Sequence, residues 1–135
     1  MRNKQVIRVR DVMTTDFNWV DGITTVATAL RDMKNAAVRT LIVNKRHADD
    51  EFGMVLMSDI ARLVLAKDRS PERVNIYEIM VKPVLTVPPE MDIRYCARLF
   101  DHYQVLRCPV VENGEVIGIV GFTNMVLRGM INGLE

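Results

Sequence analysis

The sequence predicts a mixed α/β (α+β) fold made of two copies of one β-α-β-β-α unit. Three observations predict it. Apolar positions recur at a fixed offset along the chain. Each copy alternates helix-period stretches with short strand-like runs. An Asn113-Gly114 pair marks a two-residue hairpin.

The duplication is read residue by residue. Val9-Arg10-Asp11-Val12-Met13 returns as Ile76-Tyr77-Glu78-Ile79-Met80, an offset of 67 residues. The same offset pairs Val20 with Val87, Val26 with Ile93, Ala29 with Cys96, Met33 with Phe100 and Val38 with Val105. Past residue 44 the offset becomes 65, so that Gly53 meets Gly118, Val55 meets Val120, Ser58 meets Thr123 and Asp59 meets Asn124. The difference is absorbed between Lys45 and Glu51, a polar stretch that reads as a hairpin loop.

Each copy opens on a short helical turn, around Val12-Met13 or Ile79-Met80. A brief strand follows, over 17–20 and again over 84–87. The next segment places Val26, Ala29, Leu30 and Met33, or Ile93, Cys96, Ala97 and Phe100, on one helix face. Thr24 or Thr25, and Asp92, suit its N-cap. Two strands come next, over 40–44 and 52–57, then over 108–112 and 115–122. A second helix starts after Ser58 or Thr123. The first copy spans 1–67, a linker 68–75, and the second copy 76–135. In the linker, Ser70-Pro71 reads as a cap followed by a first-turn proline. A unit of roughly 60 residues is marginal alone. The two copies are therefore expected to pack sheet to sheet with pseudo-twofold symmetry, helices outside.

Composition narrows the function. The chain has 135 residues, 49% hydrophobic and 26% charged, with a net charge of +1. That balance fits a globular protein and gives no electrostatic drive toward nucleic acid or membrane. Arg62, Lys67, Arg69 and Arg73 are interleaved with Asp68 and Glu72, so they form no basic stripe. No apolar run reaches the length of a membrane span, and the N-terminus lacks a signal-peptide core, so a cytoplasmic location is expected. Cys96 and Cys108 sit among apolar residues and read as small buried hydrophobes. His47 beside Asp49, Asp50 and Glu51 reads as a hydrated turn rather than a metal site. Nucleophile elbow, P-loop and dinucleotide glycine fingerprint are all missing from the sequence, and no enzyme activity is expected.

Several segments resemble the cystathionine-β-synthase (CBS) domain family, in tandem and over nearly the whole chain. They are Asp11-Val12-Met13 and Glu78-Ile79-Met80, then Cys108-Pro109-Val110-Val111-Glu112. The stretches Gly53 to Ile60 and Gly118 to Met125 resemble the family's Gly-x-x-Thr-x-x-Asp signature. The resemblance implies a stand-alone pair whose cleft between repeats takes an adenine nucleotide (AMP, ADP or ATP) or an adenosyl ligand such as S-adenosylmethionine. It also implies a homodimer that signals to a separate regulated protein. No resident cofactor is required.

Carried onto this chain, the resemblance makes Asp59 the ribose-binding carboxylate, with Asn124 as its counterpart. A carboxylate accepts from two neighbouring hydroxyls. The helix starts at Ser58 and Thr123 offer amides to phosphate. Arg107 stands where a family cation meets phosphate; Arg39 and Thr40 occupy the same place in the first copy. Phe17 and Asn18, and Val84 and Leu85, fall where the adenine is held. The plain alternative for Ser58-Asp59 and Thr123-Asn124 is helix capping. The chain departs from the signature at Leu56 and Gly121, where the family carries a hydroxyl, and at Ile42, where it carries proline. A ligand-free dimerisation or docking module is the second reading.

Overall fold

A computed structural model describes residues 5–33 and 39–131; the pairing of Val38 with Val105 lies outside the described residues. Its elements are α1 (Val9–Val12), β1 (Asn18–Val20), α2 (Val26–Arg31), β2 (Thr40–Val43) and β3 (Gly53–Leu56). They continue with α3 (Met57–Ile60), α4 (Ile93–Tyr103), β4 (Arg107–Glu112), β5 (Glu115–Gly121) and α5 (Phe122–Asn124). The content is mixed helix and strand, as the α+β class requires. The chain divides into two compact units, Asp16–Val84 and the residues up to Thr15 joined by Leu85 onward.

In the first unit, β1 runs parallel to β2, and β2 antiparallel to β3. The parallel pair needs a crossover, and α2 supplies it. Thr25 caps α2 by accepting from the Thr28 amide at 3.2 Å. The amides of Val26 and Ala27 donate to the carbonyls of Val74 and Pro71. The linker thus satisfies helix-start donors that would otherwise be orphaned. This corrects the reading of Ser70-Pro71: it forms a turn that serves α2, not a new helix. The core gathers Val20, Val26, Ala29, Leu41, Val43, Val55, Val64, Val74, Ile76 and Ile79.

The second unit repeats this plan with one strand fewer. Its core gathers Val9, Val12, Val87, Ile93, Cys96, Phe100, Cys108, Val110, Val120 and Met125, largely the duplicated positions. Asp92 caps α4 through the Arg94 amide at 2.9 Å. The Val9 and Arg10 amides donate to Met91 and Pro89, and Ile93 donates back to Ile7. The leading turn of each sequence copy therefore completes the helix start of the other copy's sheet. The strand expected over 84–87 is a single bridge, Val87 to Val110. Pro83, Pro88 and Pro89 flank it and remove the amides that a longer ladder needs. The β4–β5 hairpin turns at Asn113 (φ 53°) and Gly114 (φ 80°), both left-handed, as a type I′ turn demands.

The closing helices begin at Met57 and Phe122, one residue before Ser58 and Thr123, so those two residues sit within the first turn. Both helices then widen into π turns, Ala61–Leu65 and Met125–Met130. Ala66 donates to Ala61 and Ile131 to Val126 across five residues.

Candidate functional site

Strand register builds the site of the first unit. Asn18 lies beside Leu41, and Thr40 faces Leu56, the residue that leads into α3. One end of the sheet therefore carries Asn18, Thr40 and the α3 start together. Asn18, Thr40 and Asp59 are the buried polar residues among those described, at 6%, 0% and 6% exposure. Every buried side-chain polar atom among the described residues has a hydrogen-bond partner, so these three form a satisfied polar collection at one sheet end.

The Leu56 amide donates to Asp59 Oδ2 at 2.8 Å, and Arg62 donates to Asp59 Oδ1 at 2.9 Å. Each carboxylate oxygen keeps a further lone pair. Asp59 is thus a helix cap with acceptor capacity left over. Arg62 was missed in the sequence, although its i, i+3 spacing from Asp59 is the signal for such a pair. Ser58 and Arg39 are exposed beside this group. Phe17 precedes β1 instead of opening it, half-buried and edge-on to Trp19 at 5.5 Å. Trp19 in turn lies 5.9 Å from Phe52.

The matching end of the second unit differs. Arg107 faces Gly121 across the hairpin, and the Gly121 amide donates to Asn124 Oδ1 at 3.0 Å. At the duplicated offsets, Leu85, Arg107 and Asn124 stand for Asn18, Thr40 and Asp59. A buried polar cluster is replaced by an apolar residue, an exposed cation and a neutral cap. Thr123 is exposed, and Val84 is half-buried at the end of the first unit. Neither Leu56 nor Gly121 offers a hydroxyl at the signature position.

Other chemistry is muted. Cys96 and Cys108 are free and fully buried. Burial pushes the Cys96 thiol up to about 11 and raises Cys108 further, so neither is a thiolate at neutral pH. Among the described residues no three His, Cys, Asp or Glu side chains gather as metal ligands. No helix among them is long and apolar enough to cross a membrane.

The acidic loop after β2 is tied down by Asp50. Its carboxylate accepts from Lys82 at 2.8 Å and from the Arg46 amide at 2.9 Å and Nε at 3.1 Å. The Lys82 ammonium and then Arg46 hold the Asp50 carboxyl far below the usual carboxylate range. A depressed folded value stabilises the protein above the unfolded pKa of about 4, and that stability fades as pH falls below it. Asp50→Asn should therefore flatten the fall in melting temperature between about pH 5 and pH 3. An unchanged acid slope in calorimetry would contradict this.

Two matching repeats, each ending in a sheet that feeds a capped closing helix, define a paired-repeat module. The CBS domain model matches residues 9–66 and 76–128, and the chain belongs to the CBS domain family. The chain is 35% identical to the hexameric CBS-CP12 protein of bloom-forming cyanobacteria, with a TM-score of 0.86. That match covers 92% of this chain and 72% of the other. It is 27% identical over 124 residues to the CBS domain-containing protein YhcV of Bacillus subtilis, 92% of this chain and 86% of that protein. Protein MK0525 of Methanopyrus kandleri is 30% identical over 98 residues, 72% of this chain; the match spans about half, 49%, of that protein. The CBS pair of protein MJ0100, solved with 5′-methylthioadenosine and S-adenosyl-L-methionine, shares the fold at 20% identity and a TM-score of 0.77. It covers 97% of this chain and 100% of that one.

Proposed function

We propose that this chain is a regulatory sensor of an adenosyl ligand, an adenine nucleotide or a compound of the S-adenosylmethionine kind, and not an enzyme. One observation carries the reading: Asn18, Thr40 and Asp59 are buried together where β1, β2 and the α3 start meet. Asp59 accepts the two ribose hydroxyls on its remaining lone pairs. Asn18 and Phe17 hold the base, and Ser58 and Arg39 lie toward the 5′ substituent. At the sheet end of the second unit, Arg107 offers a forked cation to a phosphate. The Asn124 end, with Thr123, Val84 and Leu85, binds more weakly because it lacks the charge. The protein acts as a cytoplasmic homodimer and passes the signal to a separate partner protein. The ligands named for MJ0100 support the ligand class.

Isothermal titration of the purified chain with AMP, ADP, ATP, S-adenosylmethionine and 5′-methylthioadenosine tests it. Saturable heat from at least one of them at or below millimolar concentration is expected. Silence from all five would remove the sensor reading and leave the ligand-free docking module, which the missing hydroxyls at Leu56 and Gly121 favour.

A further inference from the structure

The duplication supplies an internal control for the sheet end far from Asp59. In the second unit that end is stapled. Arg10 donates to Glu90 at 3.0 Å and also bonds to Glu112, which joins the leading turn, the segment before α4 and the end of β4. At an offset of 67 residues stand Tyr77, Ile23 and Lys45, the last at the start of the loop where the two copies change register. None of these can rebuild the staple. The arginine has become a phenol, one carboxylate an aliphatic chain, and the other carboxylate an ammonium.

What remains is an open groove of about 910 Å³, lined by Val43, Met80, Ile23 and Tyr77 together with the charged Asp21, Lys45, Arg46 and Lys82. Ile23 is 83% exposed and Tyr77 52%. What sets this pair apart from the other exposed apolar side chains is that both line one groove. An enclosed small-molecule site would bury its walls. This surface instead has the form of half an interface, with Tyr77 as its aromatic anchor.

The charge change selects the occupant. Two negative charges and one positive in the stapled copy become a single positive charge, Lys45, in the open one. Asp50, with its side chain 7% exposed, holds the Lys82 ammonium, whose own side chain is 20% exposed. The more open cations of the groove are therefore Arg46, 76% exposed, and Lys45, set 4.7 Å over the Phe52 ring, against one lining carboxylate, Asp21. We infer that the groove is a docking surface for a partner protein's acidic segment, with an apolar side chain set against Ile23 and Tyr77 and carboxylates near Lys45 and Arg46. This inference is independent of the adenosyl site at the other end of the sheet.

The stapled copy also provides the test. The triple variant Ile23→Glu, Lys45→Glu, Tyr77→Arg writes the staple of the second unit into the first. Random dodecapeptides displayed on phage are selected on the full-length wild-type chain. The winners, made synthetically, are measured on both proteins by fluorescence polarisation. Enriched peptides should carry Asp or Glu around an apolar residue and should lose at least about tenfold in affinity on the variant. Three results would overturn the inference: no enrichment, peptides without acidic residues, or equal binding to both proteins. Sedimentation velocity must give the same size for both proteins, since a change on stapling would make a second copy of this chain the occupant. If the triple variant melts below the wild type, Ile23→Glu alone is read against the same outcomes.

Discussion

Gly118→Ala should cost about 2 kcal/mol, and Gly53→Ala under about 1 kcal/mol, although the two glycines hold the same place in their copies. A Cβ at Gly118 would lie 2.7 Å from Met13 Sδ and 2.8 Å from the Thr14 carbonyl oxygen. The sulfur ends a flexible chain and can move. The carbonyl cannot, because it accepts from the Ile119 amide at 2.9 Å while Thr14 donates back to Ile119 at 2.9 Å. At Gly53 the severe contact is Met80 Sδ alone, at 2.7 Å, with Val43 Cβ next at 3.2 Å. The methionine of each leading turn thus lies over the glycine of a β-strand, which explains why both residue types recur together. For a chain of this size the Gly118 variant should melt roughly 6–10 °C lower. Double variants separate the causes. In a Met80→Ala background the cost of Gly53→Ala should fall to about zero, whereas in a Met13→Ala background Gly118→Ala should still cost about 1 kcal/mol or more. Equal behaviour of the two glycines would refute the backbone-clash account.

That pair of glycines also marks where the sequence can be read and where it cannot. The duplicated apolar positions were legible because a core selects by periodicity, and Val9, Val12, Val26 and Val55 are buried as their spacing requires. Thr25 and Asp92 were legible as caps because capping chemistry is local. The exchange of leading turns was not, since pairing Ile7–Val9 with Met91–Ile93 is a long-range choice that leaves no periodic trace. Nor was the loss of the first strand in the second copy, although the three prolines around it carried the signal. At the site, the acid at Asp59 was visible from the signature. The burial of Asn18 and Thr40 was not, because it follows from strand register. The staple and its loss became visible only when Arg10, Glu90 and Glu112 could be set against Tyr77, Ile23 and Lys45.

Asp59→Asn should leave the protein folded and weaken the adenosyl ligand by about 10- to 100-fold, which is the range of a charge-assisted hydrogen bond. The second copy is the reason to choose asparagine over alanine. There Asn124 caps its helix through the Gly121 amide at 3.0 Å, against 2.8 Å for Asp59 and Leu56. The cap therefore survives the substitution, and the melting temperature should move by only a few degrees. The Arg62 pair is lost, but Arg62 is largely exposed, so it contributes little to stability. Asp59→Ala, by contrast, removes the cap as well and should cost about 1 kcal/mol in addition to binding. Titration calorimetry and thermal unfolding on the same two variants separate a ligand-binding carboxylate from a capping one. If Asp59→Asn binds as tightly as wild type, the charge serves the helix alone, and the buried cluster with Asn18 and Thr40 is structural.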